Sequence, residues 1–250
     1  MIPPSPSQPP HDPRFSFSSP VCAAVPTVSQ TKAKFFDAYT KPVPAMMSTI
    51  INELLVSQHL WRYNAKYTYD PVFALGLVSV FDQILDGPEV DKDALFDAYV
   101  NALGESPAQY RKDAKMMEQW ASAGASITPD ASGSEGQQVL AQIKARVDAN
   151  NFYYTRLFAV GLFRILESSG AKDPSALKGA IAALGIREDA VNKDLMLYKS
   201  TLSKLTAAKE MLKEFLERER KKTAERLAEK SAKVRTLLDA FLPVELCGAR

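Results

Sequence analysis

Asp70-Pro71-Val72-Phe73-Ala74-Leu75-Gly76-Leu77-Val78-Ser79-Val80-Phe81-Asp82-Gln83-Ile84 carries a strong helix signal at the middle of an otherwise helical pattern. Asp is a favoured N-cap and Pro suits the first helical position. Phe73, Leu77, Val80, Phe81 and Ile84 then recur at helical spacing. The run predicts a helix that stops at Gly87-Pro88 and is apolar enough to form the centre of a core. Its longest apolar run, Val72 to Phe81, is far shorter than the roughly 18 residues that span a bilayer, and so is Leu157 to Phe163.

The same periodicity extends in both directions. Upstream, Ser29 is the expected N-cap of a first helix carrying Phe35, Phe36 and Tyr39 on one side, ended by Lys41-Pro42-Val43-Pro44. A second helix, about Ala45 to Asn64, has a broad apolar face that includes Ile51, Leu54 and Leu55. Downstream, amphipathic helices are predicted over Asp91 to Leu103 and Pro107 to Ala123, joined by Gly104-Glu105-Ser106. Further helices follow at about Gln137 to Ala149, Phe152 to Ser168 and Ser175 to Leu184. Residues 124–136 are rich in Gly, Ser, Ala, Asp and Pro, and are expected to form a flexible loop that tolerates insertions.

The last segment differs in kind. From Asp189 to about Leu238 there is no Gly or Pro, and Leu195, Tyr198, Leu202, Leu205, Leu212 and Leu216 follow a seven-residue repeat with one polar slip at Lys209. This predicts a coiled-coil-like helix of roughly 70 Å. Between Glu217 and Arg226 it has no large apolar residue, so this part should project beyond the core. The expected architecture is all-α: a leader over 1–23, a helical body over 24–187, a long C-terminal helix over 188–241 and a tail over 242–250.

Composition removes whole classes of function. With 250 residues, 46% of them apolar, the chain can bury a substantial core. A formal net charge of +2 provides no global field for nucleic acid, so any electrostatic contact must be local. Cys22 and Cys247 support neither a disulfide framework nor a cysteine metal site. His11 lies in the leader, which leaves His59 without the partners of a triad, a dyad or a zinc site. GxGxxG, GxxxxGK[ST] and HExxH are all absent. No catalytic, cofactor-binding or metal-ligating residue is therefore assigned.

Four features nevertheless invite a chemical reading. Asp82 and Asp86 share a helix face at four-residue spacing, which suits acid–base work or a hard cation, although a solvated face is the commoner use of such a pair. An enzyme built on them predicts that Asp82→Asn changes activity without changing stability. His59 reads as a hydrogen-bonded, half-buried side chain. The aromatics Phe152, Tyr153, Tyr154, Phe158 and Phe163 read as core. The basic cluster Arg218, Arg220, Lys221, Lys222 and Arg226 is the candidate partner-binding surface. Its interleaved Glu217, Glu219 and Glu225 argue against a phosphate backbone, which demands excess positive charge, and leave a plain solvated helix face, a protein or an anionic membrane as the readings.

The leader holds seven prolines and five serines against one acid, Asp12, and cannot pack a core. It ends in Val21-Cys22-Ala23-Ala24, which has the small-residue form of a stromal processing site. It reads as a plastid transit peptide cut before Ala24, with an ordinary disordered tail as the alternative on composition alone.

Several stretches resemble one family. Tyr69-Asp70-Pro71-Val72-Phe73-Ala74-Leu75-Gly76-Leu77-Val78-Ser79-Val80-Phe81-Asp82-Gln83 is similar to the signature of the thylakoid formation protein family. Pro107-Ala108-Gln109-Tyr110-Arg111-Lys112-Asp113-Ala114, Phe158-Ala159-Val160-Gly161-Leu162-Phe163-Arg164 and Ser203-Lys204-Leu205 continue in the family's order. The likeness covers about residues 25–225. It departs at Ala45-Met46-Met47, at Pro88 and after Thr223. The resemblance implies an all-helical, non-enzymatic chloroplast factor that supports thylakoid organisation and photosystem II assembly and repair. It implies peripheral attachment to the thylakoid and the thylakoid FtsH protease as partner. A scaffold that shapes thylakoids or vesicles directly, and an adapter in sugar or G-protein signalling, are the alternatives.

Overall fold

The computed structural model describes residues 25–84, 90–124, 126–171 and 173–241. Within them every regular element is a helix: α1 (Val28–Ala38), α2 (Ala45–Arg62), α3 (Pro71–Ile84), α4 (Lys92–Ala102), α5 (Pro107–Ser122), α6 (Glu135–Asp148), α7 (Arg156–Ser168), α8 (Pro174–Leu184) and α9 (Glu188–Phe241). The leader over 1–23, the tail over 242–250, Asp86 and the Gly87-Pro88 stop lie outside the described residues.

Side-chain caps set most helix starts. Asp70 accepts from the Phe73 amide at 2.9 Å, Asp91 from Ala94 at 3.1 Å and Ser106 from Gln109 at 3.4 Å. Each pairs an N–H that has no partner within its own helix. At α1 the cap is Thr27 rather than Ser29, because Thr27 and Gln30 form a reciprocal capping box. Phe35 and Tyr39 are buried but Phe36 is exposed, since adjacent residues on a helix point about 100° apart.

The third helix partitions the core. Its Phe73, Leu77, Val80 and Phe81 face one cluster with Leu55 and Tyr99, while Val72 and Leu75 face a second with Met117, Leu140 and Ile143. The α7 helix divides in the same way: Leu157 and Val160 join the first cluster, and Phe158, Leu162 and Ile165 the second. The two helices cross at Gly76 and Gly161, where backbone meets backbone. A Cβ added at Gly76 would stand 1.9 Å from the Leu157 carbonyl oxygen, and one at Gly161 1.9 Å from that of Val72.

Two expectations need correction here. Phe152, Tyr153 and Tyr154 precede the helix, because Thr155, itself extended, caps α7 by accepting from the Phe158 amide at 3.2 Å and the chain before it is irregular. The expected loop over 124–136 also ends early: Glu135 and Gly136 belong to α6, whose Ser134 cap forms a reciprocal box with Gln137. The Trp120 indole donates to Ser134 Oγ at 2.7 Å and packs against Gly136, where a Cβ would fall 2.1 Å from the ring.

Buried Tyr67 Oη and Arg164 Nε have no hydrogen-bond partner among the described residues, but a chain of other polar groups inside the bundle is paired. The fully buried Gln58 accepts from Tyr99 Oη at 2.9 Å and donates to Tyr110 Oη at 3.0 Å. Tyr110 in turn donates to Glu105 at 2.6 Å, and Arg62 closes the chain by pairing with that carboxylate. His59 is buried and shares a 2.9 Å hydrogen bond with Thr31; desolvation lowers its pKa and favours the neutral ring.

Candidate partner-binding surface

The long helix changes character along its length. Its first half packs on α3, α7 and α8 and buries Val191, Leu195 and Leu205. Tyr198 Oη reaches Gln83, and Lys199 sits 4.6 Å from the centre of the Phe163 ring. Beyond Lys209 its side chains face solvent. Leu212, Phe215, Leu216, Leu227, Val234, Leu237 and Leu238 are all exposed, on a helix whose described partners end with the body. Exposed apolar rows of this extent mark contact faces.

The basic cluster stands on this exposed half, between the two apolar groups. Arg218 pairs with Glu214 at 3.0 Å and Lys222 with Glu219 at 3.0 Å, each within one helical turn. Such pairs contribute only a few tenths of a kcal/mol and leave the face hydrated. Interleaved acids therefore temper the positive charge of Arg218, Arg220, Lys221, Lys222 and Arg226 where they stand.

The other candidates fall in different places. Asp82 lies at an exposed position on the rim of a cleft of about 30 Å³ lined by Lys92, Asp93 and Arg111, and partial desolvation raises its pKa. Arg111 there bridges Asp97 at 2.6 Å and Asp93 at 3.1 Å with its guanidinium over the Phe96 ring, an arrangement that ties α4 to α5. Among the described residues no three of His, Cys, Asp and Glu are placed to hold a metal ion, and no helix is long and apolar enough to cross a membrane. Phe158 is fully buried and stacks edge-on with Phe152 at 5.1 Å; Tyr154 donates to Asp194 at 2.8 Å and anchors α9 to the body.

One surface feature has no counterpart in the sequence reading. A groove of about 200 Å³ runs between α2, α7 and α9, floored by Leu54, Trp61, Val160 and Leu202, with Arg156 and Glu53 3.6 Å apart at its edge. No local pattern announces it, because its walls come from helices about a hundred residues apart. It is smaller than the roughly 300 Å³ at which small-molecule sites begin.

Fold and surface together define an all-helical bundle that carries one long, solvent-facing amphipathic helix. The chain belongs to the thylakoid formation protein family, whose sequence profile matches residues 27–227. It is 49% identical to Protein THYLAKOID FORMATION 1, chloroplastic, of Arabidopsis thaliana over 86% of this chain and 73% of that protein. It is 35% identical to Protein Thf1 of a Nostoc species over 83% of this chain and 96% of that protein. The solved structure of Psb29 is similar, at 32% identity and a TM-score of 0.63, over 80% of this chain and 99% of that one.

Proposed function

We propose that the chain is a non-enzymatic auxiliary factor of the chloroplast that supports thylakoid membrane biogenesis and photosystem II assembly and repair. The observation that carries this reading is the 49% identity, across most of the chain, to a chloroplastic protein named for thylakoid formation. In this reading the leader over 1–23 is removed ahead of Ala24, and the body works in the stroma and at the thylakoid surface. The thylakoid FtsH protease is the partner, with Arg218, Arg220, Lys221, Lys222 and Arg226 on the exposed half of α9 as its contact. The tempered charge of that face suits a protein surface with mixed charges of its own.

A second reading rests on the same helix. Exposed leucines beside lysines and arginines also suit an anionic membrane, which would make the protein a scaffold that shapes thylakoids directly.

Affinity capture from light-stressed thylakoids separates these readings, using Ala24 to Arg250 with and without residues 209–250. Recovery of FtsH by the intact chain alone supports the adapter role and places the contact on α9. Recovery by both forms moves the contact to the body. Recovery by neither, with salt-sensitive binding of the intact chain to anionic liposomes, favours the scaffold.

A further inference from the structure

Leu205, Leu216, Leu227 and Leu238 recur every eleven residues along α9. The positions between them repeat as well, as Lys209/Leu212, Arg220/Thr223 and Ser231/Val234, so the stripe advances in steps of 4, 3, 4 three times over. An eleven-residue period is about 3.67 residues per turn, close to the 3.6 of a straight helix. The stripe therefore keeps to one side of the helix for its whole length. Leu205, 4% exposed, is covered by the body; Leu216, Leu227 and Leu238 continue the same face at 42%, 62% and 57% exposure.

This order of steps reads the same from either end, about a point midway between Lys221 and Lys222. A face with that property is complementary to itself reversed, the condition for an isologous two-fold contact. We propose that the distal half of α9 pairs with the same segment of a second copy, antiparallel, with the two-fold axis passing between Lys221 and Lys222. Leu216 then meets Leu227 of the second copy, and Leu212 comes level with Ser231. Leu238 reaches the level of Leu205, where the body already covers the stripe, so the pairing ends where the body begins.

Charge agrees with this register. Across an antiparallel pair related by such an axis, each flank of one helix faces the same flank of the other. At 100° per residue, Glu219 and Arg226 share one flank, and Glu210 and Arg235 the opposite one. The register sets Glu219 beside Arg226 of the second copy and Glu210 beside Arg235 of the second copy, each contact occurring twice. The unfavourable layer is at the centre, where Arg220 approaches its own symmetry mate.

Sedimentation equilibrium of the full chain from about 1 to about 100 µM tests the pairing. The expected result is a reversible dimer, weakened roughly tenfold or more by Leu227→Glu, which puts a charge in the apolar contact. Glu219→Arg should weaken the dimer, and adding Arg226→Glu should restore it; Arg220→Leu should tighten it. Orientation is read by oxidation of single-cysteine variants in which Cys22 and Cys247 are serine. Thr223→Cys, beside the axis, should form a covalent dimer, and Leu212→Cys, about 28 Å from its mate, should not. A monomer across the whole range overturns the proposal, whether or not the chain binds vesicles. Cross-linking at Leu212→Cys, or no rescue by the double charge reversal, overturns the antiparallel register.

Discussion

Gly76 and Gly161 pack the backbones of α3 and α7 directly together: a Cβ built on Gly76 falls 2.9 Å from the Gly161 nitrogen, and one on Gly161 falls 3.1 Å from the Gly76 nitrogen. Alanine normally favours a helix interior over glycine by about 1 kcal/mol. Here the added methyl meets carbonyl oxygens that cannot move without separating the helices. Gly76→Ala and Gly161→Ala should each destabilise the protein by about 2–3 kcal/mol, measured by urea unfolding. Gly179 is helical too, but an added Cβ meets nothing within 4 Å, so Gly179→Ala should stabilise by about 0.5–1 kcal/mol.

Asp70 caps α3 from a buried position, 3.6 Å from Arg146, and burial pushes its pKa up to about 6. A carboxyl whose pKa is higher folded than unfolded keeps its proton longer in the native state. Stability should therefore fall as pH rises from about 4 to about 6 through this group, by on the order of 3 kcal/mol, and stay level above. Asparagine keeps the cap without titrating. The difference in unfolding free energy between wild type and Asp70→Asn should change by that amount between pH 4 and pH 7, and a pH-independent difference would contradict this account.

Gln58 links two tyrosine hydroxyls that have no access to water. Gln58→Leu removes the acceptor of Tyr99 and should cost about 1–3 kcal/mol in thermal or urea unfolding, the penalty of an unpaired buried hydroxyl. Restoring an apolar partner with Tyr99→Phe in the same chain should recover part of that loss.

The two halves of α9 should respond oppositely to truncation. Leu195→Ala and Leu205→Ala remove buried side chains and should cost about 2–5 kcal/mol each. Leu227→Ala lies on the exposed half and should shift the unfolding of the body by less than about 0.5 kcal/mol in dilute solution.

Much of the fold is legible in the chain because its signals are local. Asp70-Pro71, Asp91 and Ser106 mark helix starts through side chains that reach only three residues ahead. The aromatic run at Phe152 misleads for the same reason: its periodicity suits a helix, and the Thr155 cap that ends the irregular stretch reads as an ordinary polar residue. Gly76 and Gly161 carry no warning of their contact, since a helical glycine is defined by what lies across from it. The basic cluster is found by composition alone. The eleven-residue leucine period is harder to see, because a seven-residue repeat fits the first half of α9 and fails at Glu219.

Leu205 is the last buried side chain of α9, Lys209 reaches back to the Gln83 carbonyl at 3.5 Å, and the helix is described as far as Phe241. About 54 Å of rod runs on from that last buried side chain. Such a rod is a lever: a tilt of about 5° at its base carries the tip about 5 Å, roughly one helical turn. Small adjustments where Tyr154, Tyr198 and Lys199 grip the helix are thereby magnified at its far end, and a load applied there is felt most strongly at those three side chains.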